Sequence, residues 1–442
     1  MTPAQQYSTP RERALARLAF ALNALAFLHA LLAAGVALAP LVVPEAGAWL
    51  LPATWDGQTT PLSLPILLTS ALLWVNAGAW AFFGVGVVAQ EAWVWAFALA
   101  VGAGNAVLGA LGFGLAWLSV GVAGFALAGL WRLRGAFRTN PVTLKELRGR
   151  MRGVRAFAVI GVFLAMMGAF TLLLYLLSLS RLSGVAVVET GQLGRDLFRG
   201  VMALELALVI LIVPSLTVSA VSGEREQQTY DLLATTLLPA PAFLMGKLSS
   251  ALGYVGLLVL SAVPLQSVAF LFGGISALEV LLGVAGLMAT AFILATLGLW
   301  MSATQERTLN ATVRVYTLTL GWLFGVPLLM GLVNALLGKP IFTTLTQAGA
   351  YGNALAGVGT LDLTPTQESL AIYADLLHSG LNPLLTAHYT QEAMTAHEQI
   401  LTVGIRLASN GETLAVLVPY VVLAIAALGA GALTLWRATR KL

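Results

Sequence analysis

Long apolar runs separated by short polar connections set the pattern of this chain. A run near 20 apolar residues crosses a hydrocarbon core of roughly 30 Å at 1.5 Å per residue. Ten segments qualify: 18–43, 64–88, 93–112, 114–131, 156–180, 200–221, 243–272, 277–302, 313–337 and 413–436. The third and fourth come from one apolar stretch, 93–131, which would be about 58 Å long if straight, too long for a single span. Gly112-Phe113-Gly114 divides it, because glycines permit a tight turn. The pattern predicts an all-α polytopic membrane protein with about ten transmembrane helices.

Composition agrees and narrows the chemistry. Of 442 residues, 59% are hydrophobic and 10% charged, against about 25% charged in soluble domains, which excludes a soluble fold. The chain has no cysteine, so a disulfide scaffold, a thiolate metal site and a cysteine nucleophile are excluded. Four histidines leave little material for an imidazole metal centre or a conventional triad. The net charge of +4 would suit nucleic acid or anionic lipid, but in a membrane protein placement matters more than the sum. Lysine and arginine are retained on the cytoplasmic side. With ten spans and both termini inside, that side holds Arg11, Arg13, Arg17, the run from Arg132 to Arg155, Arg225, Lys247, Arg307, Arg314, Arg437, Arg440 and Lys441, which is 18 of the 23 cations. Deleting one span would put the 132–155 cluster on the wrong side of one half, so parity supports the count. The expected location is the cytoplasmic (plasma) membrane, with membrane lipid rather than nucleic acid as the surrounding partner. Arg11, Arg13 and Arg17 precede an apolar run longer than a typical signal-peptide core, so the N-terminus reads as a signal anchor.

The chain divides near residue 140. Residues 1–135 form a four-helix N-terminal membrane extension rich in Ala, Gly, Leu and Trp, with no charge inside its spans; Gly124 and Ala128, four apart, would allow a close helix approach. Residues 136–155 form an amphipathic interfacial connecting helix. Asn140 is a suitable N-cap and Pro141 a suitable first residue; Leu144, Leu147, Met151 and Val154 share one face, while Lys145, Arg148 and Arg152 lie elsewhere, toward anionic head groups. Residues 156–442 form the remaining core, with a large outer segment at 338–412.

The segment from Ser222 to Pro239 joins the sixth span to the seventh and begins too polar to lie in a membrane. Glu224 and Glu226 favour a helix start, Pro239 and Pro241 stop it, and a helix over 223–238 would display charge at one end and Leu232, Leu233 and Leu237 at the other. The Ser-Gly-Glu-Arg-Glu-Gln-x-Thr-x-Asp-Leu-Leu-x-x-Thr-x-Leu stretch, followed by Gly246-Lys247, resembles the characteristic segment of ABC-2 type ABC transporter permeases. The Asn140-Pro141 segment with Lys145-Glu146-Leu147-Arg148 resembles the helix before their first span, so the resemblance covers 140–442 as a six-helix core. It implies the membrane half of an ATP-driven exporter, facing a second permease copy or a related permease and coupled to a separate cytoplasmic ABC ATPase. The 223–238 helix would seat on that ATPase through Glu224, Arg225, Glu226 and Asp231, with Leu232 and Leu233 as apolar anchors. The chain would need no cofactor and would not itself be an enzyme. ATP and Mg belong to the partner, since the Gly-Lys pairs here are followed by Leu248 and Pro340 rather than the Ser or Thr of a P-loop.

In the outer segment, Thr364, Pro365 and Gln367 read as a capping box opening a helix that ends near Gly380. Asn382-Pro383 opens another that could run past His397. His378, His388 and His397 with Asp375, Glu392 and Glu398 lack metal-ligand spacing and read as solvated helix faces, so no metal site is expected. Carboxylates within spans are costly and often functional; Glu205 and Glu279, each a few residues from the outer end of its span, are candidates to line a path. Two other classes compete. A self-sufficient ion-coupled carrier usually shows internal repeats or broken helices, which this sequence lacks, and an intramembrane enzyme would need paired Asp or a Ser/His couple inside spans. A non-transporting scaffold that binds an ATPase is the third possibility.

Overall fold

The computed structural model describes residues 10–42, 64–137, 140–152, 154–182, 190–230, 240–337, 365–387, 389, 402–406 and 413–441. The extension contributes α1 (Pro10–Val42), α2 (Leu64–Val88), α3 (Val94–Ala110) and α4 (Ala116–Arg132). The core follows with α5 (Pro141–Met151), α6 (Val154–Leu182), α7 (Thr190–Thr217), the short α8 (Ser222–Glu226), α9 (Ala240–Phe272) and α10 (Ala277–Thr304). Then come α11 (Thr308–Leu320) and α12 (Val326–Leu337), joined without a break by a π-helical turn at Gly321–Gly325, and finally α13 (Pro365–Leu381) and α14 (Pro419–Thr439).

Among the described residues eight helices are long and apolar enough to cross a membrane, which makes the chain an integral membrane protein. The two others expected, α3 and α4, have 17 residues each, about 25 Å, the short end of what spans. They part where the glycines predicted, with Gly112 at φ +103°. Lipid-facing surface is evident on α6, where Val154 and Phe157 are 84% and 75% exposed, and on α12, where Leu328 and Leu336 are 76% and 77% exposed. Water would not tolerate such contiguous faces; hydrocarbon does.

Several boundaries differ from expectation. The last span begins at Pro419 rather than 413, because Thr413–Leu417 pairs antiparallel with Thr402–Arg406, the one departure from an all-α chain among the described residues. The connecting helix stops at Met151, not 155: Arg152 is extended and α6 starts two residues later. The coupling segment is not a single helix over 223–238, since α8 ends at Glu226 and Gln228 adopts φ +57°, a left-handed conformation that stops helical propagation.

The extension is packed into the core rather than appended to it. Phe82 on α2 meets Phe292 on α10 edge to face at 5.3 Å, and α2 lies along α14. A Cβ on Gly78 would sit 2.7 Å from the Cβ of Leu428, and one on Gly431 would collide with the Phe292 ring; glycine is what lets these helices approach. Gly124, by contrast, faces open space, and Gly129 takes up Leu18. Within the extension, Asn76 and Asn105 exchange amide hydrogen bonds of 2.8 and 2.9 Å, while His29 Nε2 meets Ser119 Oγ at 3.0 Å. These buried polar groups satisfy one another, as hydrocarbon requires.

Candidate functional site

The cationic helix ends gather at one end of the molecule, which we call the basic end. Arg134 lies over Trp131 and Arg440 over Trp436, 5.0 and 3.7 Å from the ring centroids, which places aromatics and cations together there.

Around this end a polar clamp ties the connecting helix to the loop after α7. Asn140 caps α5, its side-chain oxygen accepting from the Val142 N–H at 2.9 Å. Its amide donates to Glu91 at 2.6 Å and to the Ala242 carbonyl at 2.5 Å. One residue thereby joins the extension, α5 and the start of α9. The edge of α5 carrying Val142, Glu146, Leu147 and Arg150 lies on α9 and α7: Val142 fits against Gly246, Leu147 against Gly253, and Arg150 donates to the Leu216 carbonyl at 3.0 Å. Lys247 is the hub. Its ammonium, nearly buried, bonds Glu146 at 2.6 Å and Glu224 at 3.0 Å. Burial opposes ionisation of Glu224, but the Thr229 hydroxyl and the Lys247 ammonium outweigh it and hold its carboxyl below the ordinary range. Glu91 goes the other way: burial pushes its carboxyl up, against the Asn140 hydrogen bond.

Glu226 reaches across to α11. Arg307, the residue preceding that helix, makes no side-chain cap, and Glu226 replaces it, accepting from the Thr308 N–H at 2.8 Å and hydroxyl at 2.9 Å. These bonds hold the Glu226 carboxyl below its ordinary value. Arg225 donates to the Gln305 carbonyl at 3.3 Å and lies 5.1 Å from the Tyr230 ring centroid. Ser302 Oγ accepts both the Val221 and Ser222 N–H groups. Of the residues expected to meet an ATPase, Glu224, Arg225 and Glu226 therefore all make contacts within the chain. Gln227 and Gln228 at the turn are exposed; Asp231, Leu232 and Leu233 lie outside the described residues. Lys145, Arg148 and Arg152 are exposed and free to face head groups.

Two further features lie deeper. Glu205 is fully buried and accepts from Gln266 Nε2. Because α7 begins at Thr190 rather than 200, Glu205 is not near the helix end: it precedes Leu216 by eleven residues, about 16 Å at 1.5 Å per residue, which puts it near the middle of that helix. A cavity of about 240 Å³ opens on the side away from the basic end, between α7, α10, α14 and residues 383–387. Met202, Leu206, Leu282 and Leu423 line it, with Arg199 and Glu279 as its charged groups. Glu279 also closes a capping box with Ser276 at the start of α10. Glu205 does not line this cavity.

Part of the segment expected to lie outside packs against the helix pair α11 and α12. Asn382, 2% exposed, donates to the Leu323 carbonyl at 2.9 Å, within the π-helical turn. A π turn displaces carbonyls from the regular ladder, and Asn382 satisfies one. Leu323 is fifteen residues along from Thr308, about 22 Å, so the hairpin of α13 and residues 383–387 packs against the middle of the continuous helix formed by α11 and α12. Asp375 and His378 are accordingly buried rather than on solvated faces, while His388, His397, Glu392 and Glu398 fall on side chains or residues outside the description. Among the described residues no three potential metal ligands gather.

The sequence reading passed over Glu91, Glu146, Lys247 as a hub, and Gln266. The available signal was a lone lysine or glutamine inside an apolar run, whose side chain must find partners within the protein. A scan against protein-family models finds no match, and neither does a search of curated proteins.

Proposed function

We propose that the chain is the membrane-spanning permease subunit of an ATP-driven ABC transporter of the ABC-2 type, working as an exporter with a second permease and a separate cytoplasmic ATPase. In this reading the chain has ten spans, the basic end is cytoplasmic, and both termini lie there. The supporting observation is the clamp. The loop after α7 and the connecting helix, the two segments whose motifs resemble the family, are joined through Glu224, Lys247 and Glu146 and tied to α11 through Glu226. A push on this loop would be carried to α5, α7, α9 and α11 together, as rigid-body rocking of a permease half requires. The cavity, mostly apolar with Arg199 and Glu279 as its charged groups, fits a hydrophobic or amphipathic cargo.

The test is purification of the full chain from its native membranes. A P-loop ATPase should accompany it, and the preparation should hydrolyse ATP. Replacing the exposed pair, Gln227→Arg with Gln228→Arg, should abolish both without lowering membrane expression. If no ATPase accompanies the chain at any stringency, the reading fails. The ion-coupled carrier is then favoured, on the observation that a carboxylate lies buried at mid-depth.

A further inference from the structure

The pair formed by Glu205 on α7 and Gln266 on α9 has an accounting problem. Both side chains are completely buried. Gln266 Nε2 donates to Glu205 Oε2 and lies 3.4 Å from Met202 Sδ. Glu205 Oε1 and Gln266 Oε1 are both buried with no hydrogen-bond partner. Two acceptors without a donor, deep in a span, violate the rule that polar groups in hydrocarbon are satisfied within the protein.

Among the described residues no cation supplies the deficit. The charged groups on the helices packed around the pair are engaged elsewhere or lie at other depths. On α7, Arg199 pairs with Asp196 at 3.8 Å, and Arg195 lies further toward the helix start. On α9, Lys247 is held by Glu146 and Glu224, and Tyr254 lies three turns toward the basic end. On α10, Glu279 caps its own helix at Ser276. On α6, Tyr175 lies against Phe272.

We propose that Glu205 is a proton-binding site: a neutral carboxylic acid within the membrane whose hydroxyl donates to the Gln266 carboxamide, forming an acid–amide pair. One proton provides the donor that the two unpartnered oxygens lack, and it removes a charge that this environment would otherwise bury without compensation. Exchanging the amide nitrogen and oxygen of Gln266 leads to the same result. The amide oxygen would then face Glu205 Oε2, and a proton would have to lie between them. Loss of the proton leaves a bare carboxylate between α7 and α9, so proton occupancy is coupled to how those helices pack. This inference does not rest on the transporter reading.

The test uses the full chain in lipid nanodiscs and infrared spectroscopy of the carboxylic C=O stretch. At neutral pH the wild type should show a protonated-carboxyl band that disappears as pH is raised, and Glu205→Gln should lack it. Identical spectra for wild type and Glu205→Gln in this region at neutral pH would overturn the proposal. A second variant guards against misfolding of the first. Gln266→Leu keeps the acid but removes its acceptor, so the band should persist and shift to the position of an acid without a hydrogen bond. A band unmoved in Gln266→Leu would overturn the acid–amide pairing.

Discussion

Lys247→Met removes the hub of the clamp while preserving much of the side-chain volume. The two contacts it breaks are 2.6 and 3.0 Å long. At an effective dielectric of about 20, each corresponds to a gross attraction of roughly 6 kcal/mol. Desolvating an ammonium that is only 9% exposed costs several kcal/mol in return, so the net value is much smaller than the sum. Removing one partner of a buried ion pair typically costs about 3–5 kcal/mol. The carboxylates here keep 22% exposure each, and water can partly solvate them once the lysine is gone, which favours the lower end, about 3 kcal/mol. The variant leaves Glu146 and Glu224 as like charges facing one vacated site. Neutralising them should therefore rescue it: Lys247→Met with Glu146→Gln and Glu224→Gln should recover roughly 1–2 kcal/mol relative to the single variant, as expected of side chains sharing one partner. The assay is unfolding of the purified chain in nanodiscs, followed by fluorescence of its 11 tryptophans. A triple variant as unstable as Lys247→Met, or less stable, would refute the reasoning, because the loss would then come from packing rather than uncompensated charge.

Three other outcomes are expected. Glu226→Ala should uncap α11 and speed hydrogen exchange at the amides following Thr308, with exchange in α14 unchanged. Asn382→Leu strands the Leu323 carbonyl at membrane depth; it should cost about 1–3 kcal/mol and raise the labelling of a cysteine placed at Ala387, an experiment the cysteine-free chain makes clean. The Glu224 carboxyl is held below its ordinary value, so its stabilisation is complete above the unfolded carboxylate value of about 4.3 and is lost as pH falls through the lower folded value. Wild-type stability should show that loss on acidification and Glu224→Gln should show a smaller one, measured as unfolding midpoint against pH.

The membrane architecture was legible in the chain because the bilayer is a severe and simple solvent. A span must hide every backbone group in a helix and present apolar side chains for about 20 residues, and that requirement leaves a mark as plain as the 64–88 run, found as Leu64–Val88, or the glycine break at 112. The N-cap at Asn140 and the helix from Pro365 were equally readable, since a cap depends on residues a few positions apart. What the sequence could not decide was which polar residues meet. Glu91 and Asn140 are 49 positions apart, Glu146 and Lys247 are 101 apart, and Glu205 and Gln266 are 61 apart. Nothing local joins them. The resemblance implies that Glu224 and Glu226 meet a partner, and it could not show that the folded chain also brings both carboxylates onto its own Lys247 and Thr308. The outer segment was assigned to the outside by the parity of the spans; only the packing of the helices shows that Asn382 meets the Leu323 carbonyl. Local periodicity is imposed by the solvent, residue by residue, and can be read in one dimension. Partners for buried polar groups are chosen by three-dimensional proximity, and only the tertiary structure settles them.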